Sequence, residues 1–184
     1  SLGLVGSEMC IRDRRTGFLH FEDAVQAMQA GQSSHVYTIA APREFFAAWL
    51  APRLAAFRAA NPQVRYIVVD GELTDFTEAN LDLAVRWTDG PGDLEGLALG
   101  AAEWVELGRG DWIGWPGDPA PESEAASDGE ESQPAIQVAD AGQAVAAALS
   151  GLGRVRVPAL LAEGLAAGTS VEVGPVTPCR RAYW

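Results

Sequence analysis

The chain has 184 residues, 48% of them hydrophobic, which suits one ordinary globular domain or two small lobes with a real core. Its net charge of −12 excludes these residues as a surface for a nucleic-acid backbone, which needs a basic footprint. No apolar run is long enough to span a bilayer, no export signal is visible, and two cysteines with two histidines make neither a disulfide framework nor a usual zinc site; the expectation is a cytoplasmic, reduced protein without metal or cofactor.

Residues Ser1–Arg14 (SLGLVGSEMCIRDR) show no period and no cap. They resemble translated sequencing-adapter read-through and are set aside as an artefact or a disordered terminus. Thr16–Ala30 carries Phe18, Phe21, Val25 and Met28 at steps of three or four, which predicts a linker helix stopped by Gly31. Its narrow stripe suits either the local core or a second copy of the chain. Gln32–Ser34 is a polar linker.

A βαβ pattern follows. His35–Ala41 (HVYTIAA) reads as a buried strand. Pro42 sets up a turn into a helix over Arg43–Ala60, with Phe45, Phe46, Trp49, Leu50, Leu54 and Phe57 on one face. Pro52 should kink or restart this helix, because it removes a backbone donor. Val64–Asp70 (VRYIVVD) is apolar enough to predict a strand covered on both faces. Glu72, Asp75, Glu78 and Asp82 have helical spacing; a solvated helix face explains them better than acid–base or cation chemistry. Leu81–Trp87 (LDLAVRW) is the third strand, and Thr88–Asp93 is a Gly/Pro/Asp break. Alternation at this spacing predicts an α/β fold with a parallel sheet.

Two stretches then invite comparison with a family. APREFFAAWLAPRLAAFRAANPQVRYIVVDG followed by Asp82-Leu83-Ala84-Val85-Arg86 resembles the effector-binding domain of LysR-type transcriptional regulators. Gly142–Val173 resembles the family's second-lobe pattern of helix, strand, helix and strand. Asp111-Trp112-Ile113-Gly114-Trp115 is similar to its "dWIGW" segment, and Cys179–Trp184 to the segment after the second lobe. The resemblance covers His35 to the C-terminus. It implies a two-lobed type II periplasmic-binding-protein-like fold, truncated at both ends and with a shortened second lobe. The expected division is a linker over 15–34, a first lobe over 35–92, a second lobe over 93–175 and a crossover over 176–184.

The departures matter as well. The family's DNA-binding winged helix-turn-helix should precede Thr16–Ala30 and is missing. Pro116–Gln133 is an acidic, Pro/Ser-rich stretch that reads as a disordered loop. Arg154 and Arg156 flank Val155 where the family prefers apolar residues, which puts the burial of that strand in question.

Ligands of open parallel sheets bind beyond the carboxyl ends of the strands. This singles out Ala41, Pro42, Arg43 and Glu44 after the first strand, Asp70 and Gly71 after the second, and Trp87 and Thr88 after the third. Asp140 and Ala141 open the second-lobe helix, where Asp140 fits an N-cap better than a ligand contact. The resemblance implies the same place, a small and often anionic effector between the lobes. Many members have Ser or Thr where this chain has Pro42-Arg43-Glu44, so Arg43 is the candidate carboxylate partner. Trp104, Trp112 and Trp115 fit core packing better than ring stacking, and the glycines of Gly151-Leu152-Gly153 fit a helix stop better than a phosphate loop. No nucleophile–base set is present, so the chain is not expected to be an enzyme. The reading is an effector-sensing domain that forms homo-oligomers in its full-length protein, meets DNA only through the missing domain, and has no membrane contact. The rivals are a solute-binding protein of a transporter and an inert fragment.

Overall fold

In a computed structural model, which describes residues 35–71, 80–118, 134 and 136–184, strand β1 (Val36–Ala41) is the centre of a parallel sheet. Strand β2 (Arg65–Asp70) lies on one side and β3 (Leu83–Ala84) on the other. Val36 pairs with Arg65 and Ala41 with Asp70, so β1 and β2 run in register to the same end. The expected segments over 1–34 and the helix over 72–79 lie outside the described residues, as does most of the acidic stretch.

The connection from β1 to β2 is one helical rod with a fault in it. Helix α1 (Arg43–Phe45) leads into a π-helical turn (Phe46–Leu50), and α2 (Ala51–Ala60) continues from there. The Ala51 amide reaches back five residues to the Phe46 carbonyl. Pro52 explains the fault: it has no N–H for a regular bond, and its ring needs the space that the wider turn provides. At the other end, Asn61 closes α2 through its side-chain amide, which donates to the Phe57 carbonyl at 3.0 Å. Phe45, Trp49, Leu50, Leu54 and Phe57 are buried, as the periodicity predicts, whereas Phe46, expected on the same face, is only half-buried.

Two expectations need correction. The run Val64–Asp70 is not covered on both faces: β2 is an edge strand, with Ile67 52% and Val68 38% exposed. An apolar run shows only that a strand is apolar; the strand order puts β1, not β2, in the middle. The third strand does not run from Leu81 to Trp87 either. Its ladder with β1 covers Ile39–Leu83 and Ala40–Ala84, extended by the Val85 amide donating to the Ala40 carbonyl. Arg86 then changes partner: its amide and carbonyl both pair with Trp184 at 2.9 Å. Trp87–Thr88 is a separate strand, β4, antiparallel to Ala182–Tyr183. Tyr183 stacks against Trp87 at 4.9 Å and Phe45 at 4.3 Å. The chain thus divides into two units, one ending at Ala102 and resuming at Cys179, the other spanning Glu103–Pro178.

The second unit is built on strand β5 (Glu103–Gly108). A short parallel pair follows, β6 (Ile113–Gly114) with β7 (Ile136–Gln137), then helix α3 (Ala141–Leu149), strand β8 (Arg154–Pro158), helix α4 (Ala159–Leu165) and strand β9 (Val173–Pro178). β8 and β9 flank β5, both antiparallel to it, and β10 is the Ala182–Tyr183 strand of the first unit. Val105, Leu107, Val155 and Val157 are buried on the face that carries α3 and α4. The doubt over Val155 is therefore resolved by alternation: Arg154 and Arg156 point to the other face, where Arg154 lies over Trp112 and Arg156 over Trp104. Gly151 stops α3 as expected. It adopts φ +79°, its amide donates to Ala148, and the next amide, of Leu152, donates to Ala147.

Asp82 belongs to no helix face; its Oδ2 accepts from the Thr38 amide at 2.8 Å while its own amide donates to the Thr38 carbonyl. Asp82→Ala leaves the Thr38 donor unsatisfied and should cost about 1–3 kcal/mol in chemical denaturation. The reverse holds at Tyr37, whose buried hydroxyl has no hydrogen-bond partner among the described residues. Tyr37→Phe should be neutral or stabilising by up to about 1 kcal/mol in the same assay.

Candidate functional site

The carboxyl ends of β1 and β2 bring six of the predicted residues together. Ala41 ends β1 and is buried, and Pro42, at φ −57° and ψ 139°, turns the chain out of the sheet. Arg43 follows at the start of the helical rod, and Glu44 is half-buried beside it. Asp70 ends β2 opposite Ala41. Arg43 Nε donates to Asp70 Oδ2 at 2.7 Å, with side chains 82% and 30% exposed. Asp70 therefore holds the guanidinium over the strand ends, and the outer edge of Arg43 meets solvent. A guanidinium fixed in this way suits a planar carboxylate, which takes two parallel N–H bonds.

Gly71 is the tightest point. Its amide donates to the Ala41 carbonyl at 3.0 Å, and a Cβ on Gly71 would lie 2.9 Å from the Ala41 carbonyl carbon. Only glycine lets the two strand ends close in this way. Its carbonyl accepts from Arg86 Nη1 at 3.1 Å. Arg86 was not among the expected site residues. Its strand position suggested only the last residue of a family motif, whereas its side chain reaches the turn after β2.

Trp87 and Thr88 do not lie at the end of the parallel sheet, because the ladder of β3 stops at Ala84 and β4 pairs elsewhere. Asp140 and Ala141 belong to the second unit. Asp140 Oδ1 accepts from the Gln143 amide at 2.8 Å and Gln143 Oε1 accepts from the Ala139 amide at 3.0 Å, a reciprocal cap on α3. Ala141 is buried. Trp104, Trp112 and Trp115 are buried as well. Among the described residues no group of three or more His, Cys, Asp or Glu is placed to hold a metal, and no helix is long and apolar enough to cross a membrane.

No family model matches the sequence, and no curated protein matches it. Solved structures do. The effector domain of the transcriptional regulator AmpR of Pseudomonas aeruginosa is 24% identical, with a TM-score of 0.62 over 81% of this chain and 83% of that one. The AmpR effector-binding domain of Citrobacter freundii is 16% identical, with a TM-score of 0.64 over 82% and 86%. The regulatory domain of CrgA, a LysR-type transcriptional regulator from Neisseria meningitidis, is 20% identical, with a TM-score of 0.53 over 81% and 88%. The fold is that of a LysR-type effector-binding domain. It is the two-lobed, periplasmic-binding-protein-like α/β fold that the resemblance implies. Within this fold the strand ends of the first unit are its Ala41–Arg43 and Asp70–Gly71 turns.

Gly71→Ala should push those turns apart. The expected loss is about 1–3 kcal/mol in thermal or denaturant unfolding, because the added methyl meets the Ala41 backbone rather than a mobile side chain.

Proposed function

We propose that this chain is the effector-sensing region of a bacterial LysR-type transcriptional regulator. The likeness to the AmpR effector domain over 81% of the chain carries the reading. The ordered motifs over His35–Trp184 support it from the sequence side. A small molecule would bind at the carboxyl edge of the first unit's sheet, with Arg43 taking its carboxylate and Asp70 and Gly71 shaping the floor. Asp140, Ala141, Trp87 and Thr88 remain ligand contacts only by proposal, since capping and strand pairing already account for them.

Signalling in this reading needs two states that the ligand distinguishes. The ligand favours one arrangement of the sensing region, and paired subunits transmit it to DNA-binding domains. The charge of −12 leaves contact with DNA to residues other than these. Homo-oligomers follow from the same proposal, because half-sites on DNA are read by paired subunits.

A thermal-shift screen of small carboxylates tests the proposal. At least one should raise the unfolding midpoint in a concentration-dependent way. Arg43→Ala should then weaken that compound by about tenfold to a hundredfold, the worth of a charged hydrogen bond, while shifting stability itself by less than about 1 kcal/mol. An affinity unchanged by Arg43→Ala removes Arg43 from the site.

A further inference from the structure

The second unit holds a charged pair that effector binding leaves unused. Arg156 donates from both Nε, at 3.1 Å, and Nη2, at 2.9 Å, to one oxygen of Asp118, Oδ1. The side chain of Asp118 has 0% exposure and that of Arg156 19%. Asp118 Oδ2 is buried and has no hydrogen-bond partner among the described residues. The charged groups that bear on the carboxyl are Arg156 from β8 and Glu106 from β5. Glu106 is also the register partner of Arg156, so it competes for the same guanidinium and repels Asp118. Indoles surround Arg156. Arg156 lies over Trp104 and Trp112, and Trp115 Nε1 donates to the Arg156 carbonyl at 2.9 Å.

The arrangement compensates half of an ionised carboxylate. Oδ1 has two donors, while the charge shared with Oδ2 is buried and meets no donor among the described residues. A proton on Oδ2 removes that charge and leaves Oδ1 as an acceptor for Arg156. We propose that Asp118 is a proton-operated latch: protonated, it stays seated between Arg156 and the tryptophans, and ionised, it lets the Trp112–Asp118 segment loosen from the sheet.

The direction follows from linkage. Burial, opposed by the Arg156 bonds, lifts the Asp118 carboxyl to about 6. A released Asp118 in water titrates in the ordinary aspartate range. The seated state therefore binds the proton more tightly. Seating is strongest below the ordinary range and weakens as pH rises to about 6, by at most on the order of a hundredfold.

The full chain tests this by two measurements between pH 4.5 and 8. Carboxyl carbon NMR follows the ionisation of Asp118. Amide exchange, corrected for its intrinsic pH dependence, follows the bonds that tie this segment down, Arg154 N–H to Asp111 and Val138 N–H to Gly114. Protection of those two amides should fall about tenfold or more as Asp118 ionises, and in Asp118→Asn it should be flat. Glu106→Gln should lower the midpoint of both curves, and this arm stands if Asp118→Asn does not fold. Wild-type protection that is flat with pH, a fall that persists in Asp118→Asn, or a midpoint unmoved in Glu106→Gln each overturns the latch.

Discussion

The first unit depends on how Asp82 to Arg86 is tied to β1. Asp82 grips Thr38 twice, once through its carboxylate and once through its amide. Val85 extends the ladder to Ala40, and Arg86 sends its side chain to Gly71 and its backbone to Trp184. Five consecutive residues thereby join β1, the turn after β2 and the returning C-terminal segment. A two-residue strand would be a poor third member of a sheet by itself. These side-chain and backbone bonds give it an anchoring that its length does not, and they hold the strand ends where Arg43 and Asp70 meet.

The second unit solves a different problem. Its sheet is covered on one face by an alanine-rich helix and a leucine-rich one. The other face carries two arginines and a carboxylate under three indoles. Rings lie over the guanidinium groups, and each such contact is worth on the order of 1 kcal/mol. The buried pair itself is weak support, since desolvation offsets much of its attraction. Replacing Arg156 alone would still leave the Asp118 carboxyl buried without its donors.

Much of the first unit is legible in the sequence because its signals are local. The β-branched run of β1, the period of Phe45 to Phe57 and the break at Asn61-Pro62 each mark an element within a few residues. Pro52 announces the fault in the rod, though not that it takes the form of a π turn. What is not legible depends on partners far along the chain. The edge position of β2 and the short ladder of β3 follow from strand order, and the partner of Arg86 is nearly a hundred residues away. At the candidate site, Arg43 and Asp70 could each be found from the rule about strand ends. Their pairing could not, because it depends on parallel register. In the sequence Arg156 shows only as a charge in an otherwise apolar strand; its contacts with Asp118 and the indoles come from other segments.

The first unit is discontinuous, and this has a consequence during synthesis. Tyr183, whose ring covers both Phe45 and Trp87, is made only after the whole of Glu103–Pro178. On the ribosome β1, the helical rod and β2 exist early, while these two aromatic faces wait uncovered. The second unit is continuous and can close as soon as it emerges. The later-made part of the protein thus has the simpler path, and the earlier-made part stays an incomplete, chaperone-accessible surface until the chain returns to it.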